Sequence, residues 1–258
     1  MSKSSPNILI SNDDGIQAPG ILRLVEVAQE FGTVTVVAPD SAQSGMGHAI
    51  SVGKPLRLHH EVLQNGLPGY ALSGTPADCV KFATGVLMDE LPDLILSGIN
   101  HGANSSVSSL YSGTLSAARE GSVQGLPSIG FSLCHFDEAA DMSVAQEVAR
   151  VIIRAALDRP LAPGRLLNVN IPFLSTSDLK GIKITRQAKG KWTEEFDERE
   201  DPFGRKYYWL KGRFDLMDDG TDTDEYALNN GYVSVTPMMH DLTAHPQMAD
   251  LVSWNLSL

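Results

Sequence analysis

The sequence predicts an α/β protein built on a doubly wound, mostly parallel sheet. Three observations lead there. Through the first half of the chain, short apolar runs alternate with stretches of helical period. Several of those runs are unbroken Val/Ile/Leu, the pattern of strands covered on both faces. The polar, glycine-containing segments follow directly on the runs, where an open parallel sheet places its ligands.

The strand-like runs are Ile8–Ser11, Val34–Ala38, Tyr70–Leu72, Leu94–Ser97 and Ser128–Leu133. Between the first two, Ile21, Leu24, Val25, Ala28 and Phe31 form one helical stripe, entered through Pro19 near a first-turn position. A second helix starts at "GTPADCV": Thr75 suits the N-cap, Pro76 the first helical position, and Val80, Ala83 and Leu87 the buried face. A third runs from about Ser112 to Val123. A long helix follows over about Met142–Leu157, with Val144, Val148, Val151, Ile152 and Ala155 inward. After it the character changes. "LLNVNIP", "GIKITRQA", "KYYWLKG" and "YVSVTPM" read as strands with few helices between them. The charged, Gly-containing "EEFDEREDPFGRK" and "DLMDDGTDTDEY" read as excursions or oligomer contacts. A boundary near residue 135 divides the chain into parts 1–135 and 136–258.

Bulk properties remove several function classes. The chain has 258 residues, 42% hydrophobic and 20% charged, ordinary values for a globular protein with a large core. Its formal net charge of −11 argues against a nucleic-acid polymer as partner, because phosphate backbones call for a Lys/Arg surface. A small phosphorylated ligand stays open, since a bound divalent ion inverts the local charge. No apolar run is long enough to span a membrane, and "MSKSSP" lacks the apolar stretch of a signal peptide and reads as a frayed terminus. Cys79 and Cys134 lie in apolar runs without metal-type spacing, so both are expected to be buried, reduced thiols of a cytoplasmic protein. There is no dinucleotide fingerprint, no Walker-type "GK[ST]" and no G-x-S-x-G elbow.

The candidate chemistry follows from reading what comes after each strand. After the first stand Asn12, Asp13, Asp14 and Gly15; after the second "APDSAQSGMGH", with Ser41 and Ser44; after Leu94–Ser97 "GINHGAN", with Asn100 and Asn104. Two adjacent carboxylates repel, and unpartnered they gain the fold nothing, so a cation is expected beside them. The donors on these loops are carboxylates, hydroxyls and amides, which suit a hard ion, Mg2+ or Mn2+, better than zinc. Residues 13 and 14 meet one ion only if the chain turns at once, and Gly15 permits that. "YSGT" then sets Ser112, Gly113 and Thr114 at a helix start, where N–H groups favour an anion. A hard cation beside an anion cradle points to a phosphate monoester. His48 and His101 are expected at the site edge and not as ligands. His240, His245 and "TDTDE" are expected in structural roles or at a subunit contact.

In this context the chain resembles the SurE family of stationary-phase survival proteins, metal-dependent nucleoside monophosphate phosphatases. The stretches that carry the resemblance are "LISNDDGIQAPG", "VVAPDSAQSG", "GTPADCV", "LSGIN.G.N", "YSGT.SAA.EG", "NVNIP" and "TDTDEYALNNGYVSVTPMMHDLT". They occur in order over about residues 8 to 243. After Asn104 the family usually carries Gly and Asp, where this chain has "SSVSSL". The resemblance implies a Rossmann-like N-terminal part and a smaller, strand-rich C-terminal part that exchanges elements between subunits of a homodimer or homotetramer. It implies one divalent ion per subunit, on Asp13, Asp14, Ser44 and Asn100.

The expected function is a metal-dependent phosphomonoesterase acting on nucleoside 5′- or 3′-monophosphates, with short polyphosphate as a further substrate to test. Asp14 is favoured over Asp13 to orient a water or take its proton. Asn104, Ser112, Gly113 and Thr114 are expected to hold phosphate oxygens. Two alternatives stand beside this: an aspartyl-phosphate mechanism, and a nucleotide-sensing module that binds metal and ligand without turnover.

Overall fold

The computed structural model describes residues 5–256; most of "MSKSSP" lies outside them. In chain order it contains β1 (Asn7–Ser11), α1 (Pro19–Ala28), β2 (Thr33–Pro39), β3 (Leu58–Val62), β4 (Pro68–Leu72), α2 (Pro76–Phe82), β5 (Leu94–His101), α3 (Gly113–Val123) and β6 (Ser128–Cys134). There follow α4 (Ser143–Asp158), β7 (Arg165–Pro172), β8 (Ile182–Ile184), β9 (Gly190–Glu200), β10 (Lys206–Leu216), α5 (Asp224–Asn229), β11 (Val233–Met239) and α6 (Met248–Val252). Strands β4, β2, β1, β5, β6 and β7 form the parallel body of a nine-stranded sheet. Antiparallel β3 closes one edge; β11, antiparallel to β7, and β8 close the other. The strands β7 and β11 of the second half thus continue the sheet of the first.

Strand alternation divides the core into two layers. Ile8 and Ile10 of β1 join Val36, Leu94 and Leu96 in a cluster with Leu24 and Val25 of α1 and Val148 and Ile152 of α4. Leu9, between them, faces the other way with Val37 and Ile95, against Cys79 and Val80 of α2 and Ala117 of α3. Each unbroken apolar run therefore has a helix layer on both sides. Close packing fixes one contact tightly. A Cβ on Gly20 of α1 would lie 1.9 Å from the Ile99 carbonyl oxygen of β5. Gly20→Ala must push α1 off the sheet, and is expected to cost about 1–3 kcal/mol or more, read as a lower urea midpoint.

Several expectations need correction. Val151 and Ala155 are exposed, not inward. The buried stripe of α4 is Ala145, Val148, Ala149, Ile152, Ile153 and Ala156, a helical spacing that includes small residues. Alanines sit inward because α4 approaches α1 closely there, where Gln146 donates to the Arg23 carbonyl and Arg150 pairs with Glu30 at 2.6 Å. Cys134 is half-buried, since it ends β6 at the sheet's rim, whereas Cys79 is fully buried; both are free. Leu87 is only half-buried, because the helix loosens into a π turn over Ala83–Leu87. Phe31 lies past the end of α1, half-buried against the core. Strand β3, "LHHEV", carried no apolar run to announce it, being a half-exposed edge strand.

The long charged segment after residue 189 is a two-stranded antiparallel hairpin, β9 with β10, eleven residues a side and outside the main sheet. Phe196, Tyr208, Trp209 and Leu210 are exposed on it.

Candidate active site at the carboxyl ends of the parallel strands

The site begins where β1 stops. Ser11 pairs beside Ser97 of β5, and the next residues leave the sheet. The Asn12 side-chain N–H donates to the Gly15 carbonyl at 2.8 Å, and Gly15 takes a φ of 101°, so the chain reverses immediately after the acidic pair. The turn sets Asp13 and Asp14 in different surroundings. Asp13 is 4% exposed. Its Oδ1 accepts from the Thr114 hydroxyl at 2.5 Å. The start of α3 lies so close that a Cβ on Gly113 would be 2.5 Å from the Asp13 Cβ. Burial pushes the Asp13 carboxyl up to about 6; the Thr114 bond opposes this and the Asp14 charge adds to it. Asp14 faces an open cleft of about 480 Å3 that Ser44 and His101 also line. Its Oδ2 is buried without a hydrogen-bond donor, 3.8 Å from His101 Nδ1.

Two more loops converge here. Gln43 donates its backbone N–H to the Asp13 carbonyl at 2.7 Å, which holds the Ser44 loop against the turn. Farther along, that loop is fixed by Gly47 N–H to the Tyr111 carbonyl at 3.0 Å, by His48 Nε2 to Glu120 at 3.1 Å, and by the Thr75 hydroxyl to the Ala49 carbonyl at 2.7 Å. Glu120 also pairs with Lys81 at 2.8 Å. These bonds to His48 and Lys81 hold its carboxyl down at about 2 although burial acts to raise it. The third loop leaves β5. A register shift between Ser97 and Asn100 against β6 turns the end of the strand, as bulges do beside sites. The Asn100 amide donates to the Gly102 carbonyl at 2.8 Å, which leaves its Oδ1 as an acceptor.

Asp13 and Asp14 thus follow β1, Ser44 follows β2 and Asn100 lies near the end of β5, three neighbouring strands of the sheet; of the four, Asp14 and Ser44 line the cleft. The structure treats the expected phosphate ligands differently. Ser112 is the N-cap of α3, accepting from Leu115 N–H at 3.0 Å, and Thr114 is committed to Asp13. Asn104 belongs to a buried amide ladder: its backbone N–H goes to Asn170, its side-chain N–H to Ser132 at 2.8 Å, and its carbonyl accepts from Asn168. It anchors the loop rather than lining the cleft.

The donor set can be tested for a cation. Among the described residues there is no group of three or more His, Cys, Asp or Glu that could hold a metal. What is present is two adjacent carboxylates, one with a buried oxygen lacking a donor, and neutral oxygens from a hydroxyl and an amide. Asn12 Oδ1 is buried and lacks a donor as well. Such a set fits a hard divalent ion that keeps part of its water shell, and does not fit a closed zinc cage.

Sequence reading assigned no role to Asn12 or Glu120, and took in Asp224 only as part of "TDTDE", expected in a structural role or at a subunit contact. Asn12 was readable as an amide turning its own backbone before a glycine. Glu120 lies on α3 and gave no local signal. Asp224 is fully buried at the start of α5, accepting from Ser106 N–H at 2.8 Å and Ala188 N–H at 2.9 Å. The "TDTDE" run is accordingly structural: Thr223 caps α5 and Asp222 pairs with Arg186.

Comparison with known proteins gives one consistent family. Residues 8–194 match the family model "Survival protein SurE". A "5'-nucleotidase SurE" of Cytophaga hutchinsonii is 55% identical over 249 residues, 96% of each chain. One from Christiangramia forsetii is 52% identical over the full length of both. The crystal structure of SurE protein from Aquifex aeolicus superposes with a TM-score of 0.81 at 38% identity, covering 97% of this chain and all of that one.

Proposed function

The chain belongs to the SurE family, and on that premise we propose that it is a 5′-nucleotidase that hydrolyses nucleoside monophosphates to nucleoside and phosphate, using a divalent ion held at the turn after β1. The observation that carries the metal part is the adjacent Asp13–Asp14 pair at the carboxyl end of the sheet, with the Asp14 Oδ2 buried and lacking a donor. Asp13, Asp14, Ser44 and Asn100 would hold the ion, Mg2+ or Mn2+ by the hardness of their oxygens. When bound, it supplies Lewis-acid polarisation of the phosphoryl group and acidifies water. Thr114 fixes the Asp13 carboxylate through its hydroxyl, and Gly113 gives it room. Asp14, open to the cleft beside His101, is the group that orients the attacking water and takes its proton.

Phosphate release from a nucleoside monophosphate tests this. Exhaustive chelation is expected to abolish release, with Mn2+ or Mg2+ restoring it better than Zn2+. Full activity in chelated protein would refute the metal site. Metal-dependent ligand binding without release would make the protein a sensor.

Assembly is part of the same reading. The β9–β10 hairpin exposes aromatic residues, and an isolated two-stranded ribbon is marginal alone. Leu242, Val252 and Trp254 are likewise exposed in the C-terminal segment. We infer a homodimer or homotetramer with contacts from residues 190–258, and light scattering at micromolar concentration is expected to give a multiple of the 27.8 kDa chain mass. Among the described residues no helix is long and apolar enough to cross a membrane.

A further inference from the structure

A second cavity, of about 830 Å3, has no part in the chemistry above. It opens on the same side of the sheet. Ala103 and Ser105 on its wall continue from β5, and Cys134 and His135 from the end of β6. Phe136 lines both hollows. Its side chain is exposed and its ring lies over the loop after β5: a Cβ on Gly102 would come within 2.6 Å of it. The Gly102 carbonyl is the one that accepts the Asn100 amide. An uncovered aromatic ring therefore stands on the Asn100 loop, between the cation cleft and the larger cavity.

The larger cavity has the chemistry of a site for a flat, neutral ring. His135 and Phe173 stack along it with centroids 4.1 Å apart and planes 12° from parallel. A second pair, Trp192 and Phe214, lines it in an edge-on arrangement at 5.8 Å. Its ionisable lining is Asp178 and Glu225 against Lys180 alone, besides the imidazole of His135 and the Cys134 thiol. Two carboxylates to one ammonium disfavour a phosphate there and leave a neutral heterocycle as the fitting occupant. Asn229 and Asn230 add amide groups of the kind that bond base edges. Stacking on aromatic faces is tolerant of which base is present, because every base has a π-face.

We propose that this cavity is the nucleobase subsite of the enzyme, with Phe136 as the platform between the base and the cation-held phosphate. The inference rests on the nucleotidase reading but is tested apart from it. Adenosine carries the base and lacks the phosphate, so its binding to the chelated full-length protein, measured by equilibrium dialysis, reads the cavity without the cation. Wild type is expected to bind adenosine, with ribose 5-phosphate failing to displace it. Phe136→Ala, at an exposed position where the fold loses little, and Phe173→Leu, which breaks the stack with His135, are each expected to weaken adenosine at least tenfold. Equal melting temperatures of wild type and Phe136→Ala would establish that the loss is local. No adenosine binding by wild type, or unchanged binding in both variants, would overturn the proposal. Failure of the nucleotidase reading looks different: wild type would bind adenosine yet release no phosphate from AMP in Mn2+.

Discussion

Asp14→Asn is expected to lower phosphate release from a nucleoside monophosphate by at least about a hundredfold, since even residues behind a metal's direct ligands cost 10–100-fold when changed. The substitution keeps size and shape and removes one charge. No hydrogen bond of the fold is made to the Asp14 Oδ2, and the His101 Nδ1 stands 3.8 Å from it. The metal-free variant should therefore fold as well as wild type, or slightly better once repulsion with Asp13 is relieved. A structural carboxylate would give the reverse pattern, an unstable apo protein whose surviving folded fraction still turned over with metal. Steady-state release at saturating Mn2+, beside urea unfolding of the chelated proteins, separates the two.

Asp224→Ala is expected to give the largest loss of stability. It leaves the Ser106 and Ala188 N–H groups buried without an acceptor, at about 1–3 kcal/mol each, so about 2–6 kcal/mol together. The substitution also frees the segment from Ser106 to Leu110, which leads into the α3 start behind Asp13. Asp222→Asn, two residues earlier, loses only an exposed pair with Arg186 and is expected to cost under about 1 kcal/mol. Urea midpoints of the two variants check the contrast. Similar midpoints would mean that Asp224 does not hold the loop as its bonds indicate.

What was legible in the chain and what was not divides along sequence distance. The parallel body of the sheet could be read because each of its strands is a local apolar run, and Thr75 because a cap acts within its own first turn; Ser112, expected to hold phosphate, caps α3 instead. The acidic turn was readable for the same reason: Asn12, Asp13, Asp14 and Gly15 are contiguous, and the repulsion they imply is local. Strand β3 was not, because its residues are those of an exposed edge. The stripe on α4 was placed with Val151 and Ala155 inward, whereas the buried face takes Ala145, Ala149, Ile153 and Ala156 beside Val148 and Ile152. The structural role of "TDTDE" was readable but the partner of Asp224 was not, because Ser106 is 118 residues away. The His48–Glu120 bond that steadies the Ser44 loop crosses 72 residues. Asn104 was expected to hold phosphate, and its bonds to Ser132, Asn168 and Asn170 could not be read because those residues lie 28 to 66 positions away.

An ion that joins Asp13 and Asp14 at the end of β1 binds the folded chain and not the unfolded one. Thermal unfolding of the chelated protein with and without Mn2+ reads that difference. At a hundredfold excess over its Kd, the ion should stabilise the fold by about 2.7 kcal/mol. For a chain of this length that is a rise of about 5–10 °C in Tm. That rise is expected in wild type and is expected to disappear in Asp14→Asn. An equal rise in both proteins, or none in wild type, would contradict it.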